Sequence, residues 1–339
     1  MNSNKIKNIF FQPLFKESIT VSDLSKNDQD YIVKTSKDYL YSGILLANIN
    51  FSPEYSEMRE KLVRQSKNQL MKYMLMKKDL LEINHALSLK GVKNILLKGM
   101  ALNEANISKP EERFCRDIDL LVDKRDIRTA YLELRKLKFK YINEHCLDNC
   151  KYLDPMHHIP PMINANGTVI ELHHRITSPE IYKNCPLKDI FINNSKKIGQ
   201  FRIPPPEGLV MHAMYHGIQH NFLRDGPMFL IDIKNVIKKY SLKINFDAIA
   251  NILTISDEVL RKVQKLLLVT PLNNIGYTET SKCINDLFNL EDIFLKEKYN
   301  SISSRRNTIN KLIKIRYDYQ TGFLSLKYLN ILLKKLKIK

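Results

Sequence analysis

At 339 residues the chain is long enough for roughly two domains of ~150 residues each, and 44% hydrophobic residues supply a sizeable core. The net charge of +18, from 54 Lys/Arg against 36 Asp/Glu, makes phosphate-bearing partners an expectation, beside the plainer one of a lysine-rich solvated surface. No apolar run reaches the ~18–20 residues of a membrane span, and five cysteines without a CxxC or a secretory signal argue for a reducing cytoplasm over a disulfide scaffold.

Residues 1–27 are polar with aromatic clusters at Phe10-Phe11 and Phe15, which predicts a poorly ordered start followed by docking. Residues 28–49 read as one helix, apolar at Tyr31, Ile32, Tyr39, Leu40, Ile44 and Leu45. Ser52-Pro53-Glu54 has the chemistry of a second helix start, with Ser52 as N-cap, and that helix runs to Leu89, where Gly91 stops it. Its expected apolar stripe is Leu70, Met74, Leu75, Leu81 and Leu87, with Met71, Met74 and Met76 filling core.

Residues 92–97 form a short apolar strand, Lys98-Gly99-Met100 the turn that ends it, and residues 101–105 a helix broken by Ser108-Lys109-Pro110. A strand at 116–122 and an amphipathic helix at 126–137 follow, then a third strand at 139–143. The pair Cys146 and Cys150, beside His145, His157 and His158, fits no standard zinc spacing, so free thiols in a loop are the plainer expectation. Residues 156–163 and 168–176 read as a hairpin across Asn164-Ala165-Asn166-Gly167, where Asn-Gly suits positive φ.

Two of these strands carry chemistry. Asp117 and Asp119 lie two apart on a strand and so share a face. Carboxylates held side by side repel unless a cation sits between them, and a divalent metal completed by phosphates is the usual answer. The later strand puts Glu171, His173 and Arg175 on one face and Ile170, Leu172, His174 and Ile176 on the other. A charge amid so apolar a strand is costly unless paired. Glu171 is therefore either a third acidic ligand or a surface-facing residue on an edge strand.

Pro204-Pro205-Pro206 marks a boundary, and a helix starts at Glu207. His212, His216 and His220 recur every fourth residue on one helical face, without the Glu of an HExxH zinc motif, so buried or phosphate-facing histidines are the plainer expectation. Further helices are expected at 228–239, with Asp232 inside it, at 246–269 and at 284–295. Residues 301–339 hold ten Lys/Arg against Asp318 alone. Their Leu/Ile-rich stretch at 310–338 suits either a terminal helix packed on the domain or a membrane-surface helix.

At Lys98-Gly99, at Arg113 before Asp117-Ile118-Asp119-Leu120-Leu121-Val122, and at Glu171-Leu172-His173, the sequence resembles the uncharacterised nucleotidyltransferase family of the DNA polymerase β-like superfamily. The resemblance covers roughly residues 60–240, including the proline-led, His-bearing helix after residue 204. It implies an α+β fold: a small mixed-sheet nucleotidyltransferase core (92–203), an N-terminal helical region (1–91) and a C-terminal helical domain with a basic tail (204–339). It implies a carboxylate triad of Asp117, Asp119 and Glu171 binding two Mg2+ (or Mn2+) ions, with an NTP as co-substrate. Lys98, Gly99 and Arg113 would meet the phosphates. We add from the residues that His173, beside Glu171, would orient the acceptor. Where the superfamily classically has Gly-Ser at the turn, this chain has Gly99-Met100. The implied activity is transfer of NMP to a hydroxyl or phosphate of a small molecule, sugar or protein. The alternative is a nucleic-acid-binding or non-catalytic nucleotide-binding protein, with the basic surface as its argument. No motif reports the acceptor or an oligomeric state.

Overall fold

The computed structural model describes residues 3–14, 19–142, 158–177, 187–221, 226–241, 245–253 and 257–268. Expectations about Phe15, Cys146, Cys150, His145, His157 and the helices at 284–295 and 310–338 lie outside those residues, as does the side chain of His220. All described residues belong to one unit, Met1–Ile293; none belongs to the second, Phe294–Lys339.

Helix α1 (Ser3–Phe11) docks early in the chain by burying Ile6, Ile9, Phe10 and Phe11, with the Phe10 ring edge-on to Tyr41 at 5.4 Å. Strand β1 (Ile19–Thr20) precedes α2 (Lys26–Tyr39), which opens on a capping box: Ser25 accepts from the Asp28 N–H while the Asp28 carboxylate accepts from the Ser25 N–H. The single helix expected over 28–49 is in fact two. Leu40 turns left-handed at φ 61°, closing α2, and α3 (Ser42–Asn48) starts afresh. The break lets α3 press on the segment before the carboxylate strand. A Cβ on Gly43 would stand 1.9 Å from the Glu111 carbonyl oxygen and 2.8 Å from the Phe114 ring.

Strand β2 (Ile49–Asn50) pairs in parallel with β1. Residues 53–55 make a 3-10 turn, without the expected Ser52 side-chain cap, before the long helix α4 (Ser56–Leu89). Its C-terminus is a Schellman motif: the Val92 N–H donates to Leu87, the Gly91 N–H to Ser88, and Gly91 sits at φ 68°. The buried stripe of α4 is Tyr73, Met76, Leu80, Ile83 and Leu87, of which only Leu87 was expected. Its 3-4-3-4 spacing follows the helical period more closely than the leucines do. Met71 (68% exposed), Met74 and Leu75 face outward, so only Met76 of the methionine cluster fills core.

Strands β3 (Asn94–Leu96), β4 (Ile118–Val122), β5 (Lys140–Tyr141), β6 (Met162–Ile163) and β7 (Val169–His173) form one mixed sheet in the order β3-β4-β7-β6-β5. Only β4 and β7 pair in parallel. A parallel pair needs a crossover, and that connection contains α6 (Ile127–Lys136), while α5 (Lys98–Glu104) lies between β3 and β4 in sequence. The hairpin between β6 and β7 is the expected one, with Gly167 at φ 78°. Ile118, Leu120, Ile170 and Leu172 are fully buried on the sheet face opposite Asp119 and Glu171.

After α7 (Leu187–Asn194), the hairpin of β8 (Lys196–Ile198) and β9 (Phe201–Ile203) runs beside β3. Helix α8 (Pro206–Met214) continues into a π-helical turn at Tyr215–His220 and packs on α9 (Met228–Tyr240). Gly217 permits that contact, since a Cβ there would stand 2.2 Å from the Phe229 ring. Within the helix expected at 246–269, the described residues form α10 (Phe246–Leu253) and α11 (Asp257–Leu268). The architecture is α+β, as expected from the sequence. Among the described residues, no helix is long and apolar enough to cross a membrane.

Candidate active site

The sheet itself builds the site. Parallel register sets Asp119 of β4 opposite Glu171 of β7, and Leu121 opposite His173. Same-face neighbours on adjacent strands have Cβ atoms ~5 Å apart, so Asp119, Glu171 and His173 converge. On the other side of β4, antiparallel pairing ends with the Leu97 N–H donating to the Asp119 carbonyl at 2.9 Å, which delivers Lys98 beside Asp119. Lys98 takes φ 51°, a conformation non-glycine residues seldom adopt. Its Nζ lies 2.6 Å from Asp119 Oδ1 and 3.8 Å from Glu171 Oε2. The His173 Nε2 lies 2.9 Å from the same Asp119 oxygen and 3.4 Å from Glu171 Oε2.

Strand β7 is flanked by β4 and β6, so the edge-strand alternative for Glu171 is overturned. Its carboxylate is 18% exposed, and that of Asp119 is 2%. Burial alone would raise the Asp119 pKa, but the Lys98 ammonium and the His173 hydrogen bond overcome it and hold the carboxyl well below its usual range. Glu171 behaves alike: burial pushes up, His173 and His158 pull down more strongly. Lys98 and His173 respond reciprocally. Burial works against both charges, yet the carboxylates raise both pKa values. Asp117 feels Lys98 and His173 only through weaker attraction. Burial first, then repulsion from Asp119, pushes it up to about 7.

The expected site residues are not equivalent in space. Asp119, Glu171 and His173 each offer a ligand atom within 4.8 Å of the others; Asp117 stands outside that group, one residue before β4 begins. Arg175 lies past the end of β7. Gly99 is buried near the start of α5, and a Cβ there would stand 2.8 Å from Cys115 Sγ and 3.2 Å from an Arg113 nitrogen. Burial pushes the Cys115 thiol up to about 12, which suits a packing group. Met100, at the position of the classical serine, is 1% exposed. Arg113 makes a bidentate pair with Asp232 of α9, at 2.8 and 3.0 Å, and also donates to the Phe114 carbonyl at 2.6 Å. His212 is buried, its ring 5.9 Å from Phe191 and 5.2 Å from His216.

Asp79 went unread in the sequence, and His158 was read only beside the Cys146/Cys150 pair. Asp79 of α4, 4% exposed, accepts from Asn164 at 2.8 Å, from Asn166 at 2.9 Å and from the Thr168 hydroxyl, fastening the β6–β7 turn to the long helix. A lone acid on the apolar stripe of α4, three residues after Met76, was its signal. His158 continues the β6 side of the pairing along β7, opposite His173; its signal was the His-Ile-Pro-Pro run leading into β6.

The donors Asp119 and Glu171 fit a hard divalent cation. Both are ionised, both turn toward one Lys98 ammonium, and the oxygens of such carboxylates are what Mg2+ or Mn2+ takes. Among the described residues this is the cluster of His, Cys, Asp and Glu with ligating geometry.

A buried carboxylate pair on adjacent parallel strands, balanced by Lys98 and His173, is a setting for handling phosphates and their cations. Comparison with protein families matches residues 25–272 to the family described as Uncharacterised nucleotidyltransferase, and the chain belongs to that family. The general activity of the class is nucleotidyl transfer, and the match reaches beyond the 60–240 stretch that carried the resemblance. Neither the curated proteins nor the solved structures contain a significant match.

Proposed function

We propose that the protein moves an NMP group from a nucleoside triphosphate to a hydroxyl or phosphate oxygen of an acceptor, with Asp117, Asp119 and Glu171 as the catalytic carboxylates. The observation that carries this reading is the register of Asp119 opposite Glu171, with Lys98 reaching both. The acceptor oxygen forms a bond to Pα, the Pα–O–Pβ bond breaks and pyrophosphate leaves. Asp119 and Glu171 would hold Mg2+ or Mn2+; when bound, the cation neutralises triphosphate charge and lowers the pKa of the acceptor hydroxyl. Glu171, at the more open end of the pair, accepts the acceptor's proton. Lys98, freed from Asp119 as the triphosphate enters, offsets charge on the phosphates. His173 holds Asp119 in place through its Nε2 and orients the acceptor. The core at 92–203 is the unit we assign to this chemistry.

A second reading, a nucleotide-binding protein without transfer activity, draws on the buried Met100 and on the commitment of Arg113 to Asp232. The two separate by pyrophosphate release from each NTP with Mg2+ across a panel of hydroxyl and phosphate acceptors, using Asp119→Asn as a folded control. Release by the wild type and not by the variant supports transfer. Equal release by both would sink it.

A further inference from the structure

Lys98 is itself a cation set on the carboxylate pair, and the fold ties it there. The Leu97 N–H donates to the Asp119 carbonyl at 2.9 Å, and the Lys98 Nζ stands 2.6 Å from Oδ1 of the same aspartate. Two successive residues, one by main chain and one by side chain, thus grip Asp119. Leu97 is fully buried, Gly99 is buried and Met100 is 1% exposed, so the backbone on either side of Lys98 has little room to shift. Lys98 holds φ 51°, a costly conformation for a non-glycine residue that persists where the surroundings impose it. Its side chain is 24% exposed, against the open placement usual for lysine.

That tether sets a condition on any other cation. Asp119 Oδ1 has the ammonium at 2.6 Å and the His173 Nε2 at 2.9 Å, and the ammonium is 3.8 Å from Glu171 Oε2. A divalent ion shared by these two carboxylates would stand beside the same ammonium, and like charges so close in a poorly solvated site repel strongly. A bare ion therefore has to pull the ammonium off its carboxylates and offers it no partner in exchange. An ion carried by a polyphosphate does offer one. The phosphate oxygens complete the ion's ligands, and the remaining negative charge receives the ammonium.

We propose that Lys98 is an intrinsic counter-cation that gates the carboxylate pair: a divalent ion alone is held off, and an ion carried by a nucleoside polyphosphate is admitted. The gate rests on the reading of Asp119 and Glu171 as cation ligands. It makes Lys98 a specificity-determining residue, since the charge of the phosphate chain, ahead of the base, decides entry. A nucleoside monophosphate has too little charge both to ligate the ion and to hold the ammonium, so it opens the gate poorly.

The test is Mn2+ titration of the full chain, with free Mn2+ read by electron paramagnetic resonance, on the wild type, Lys98→Met and Lys90→Met. Lys90, exposed at the end of α4, controls for the loss of one positive charge. Without nucleotide, Lys98→Met should bind Mn2+ on the order of tenfold more tightly than the wild type, and Lys90→Met within about twofold of it. Adding a non-hydrolysable triphosphate should tighten Mn2+ on the order of tenfold more in the wild type than in Lys98→Met, and a nucleoside monophosphate should do little in either. Lys98→Gln carries the same comparison should Lys98→Met not fold. Bare Mn2+ bound no more tightly without Lys98 overturns the gate. If Mn2+ with triphosphate still binds and Asp119→Asn abolishes it, the carboxylate reading stands. No Mn2+ bound by any form, with or without triphosphate, overturns both.

Discussion

Asp79 and Asp119 are both almost fully buried carboxylates, 4% and 2% exposed, and they are satisfied in opposite ways. Asp79 takes neutral donors from Asn164, Asn166 and Thr168, all from the turn that leads into β7. Asp119, on the neighbouring strand, takes the Lys98 ammonium and the His173 ring. Neutral donors are directional and fix one geometry, which suits a pin between α4 and the hairpin. Cations balance charge with less demand on direction, so another cation can take their place. Burial with neutral partners makes structure; burial with exchangeable cations makes a site.

The largest expected effect falls on the second kind. Glu171→Gln should lower transfer on the order of a thousandfold, about 4 kcal/mol of transition-state stabilisation, with little change in the denaturation midpoint. Comparable activity in that variant would place the chemistry elsewhere. Asp79→Ala should do the reverse. Stranding its buried donors costs about 3 kcal/mol in chemical denaturation. Below its melting point, triphosphate affinity should stay within about threefold of the wild type, because the two carboxylates share no partner.

Arg113 and Asp232 test the same distinction at a third place. If the fork is structural, Arg113→Lys costs about 2 kcal/mol, since Lys cannot make the bidentate pair. A double-mutant cycle with Asp232→Asn should then show coupling of similar size, about 2 kcal/mol. Absence of coupling, joined to lost triphosphate affinity, would return Arg113 to the phosphates. The smallest effect is Gly99→Ala, about 1 kcal/mol from crowding Cys115 and Arg113, read by thermal unfolding.

The strands were legible because their chemistry alternates. Ile-Asp-Leu-Leu-Val and Ile-Glu-Leu-His each set an acid on one face and apolar residues on the other, and each forms a strand within the expected stretch, although β4 begins after Asp117. The Asn-Gly turn was equally plain. Long-range partners were not. Arg113 meets Asp232 across 119 positions, and Asp79 meets Thr168 across 89, with no local pattern to announce either. Lys98 was read as part of a turn, whereas α5 starts at it and antiparallel pairing carries it to Asp119. The α2–α3 break at Leu40 hid for another reason: no Gly or Pro stands at it, and a leucine takes the left-handed turn. The outward Met71 and Met74 show that methionine follows space and not hydropathy alone.

Calorimetric titration of nucleoside triphosphates into the wild type and Asp119→Asn, with and without Mg2+, tests the central claim most directly. The expected result is binding by the wild type that requires the metal and is lost in the variant while the fold persists. A well-folded wild type that binds no triphosphate in Mg2+, or binds it equally without Asp119, would contradict the site as drawn.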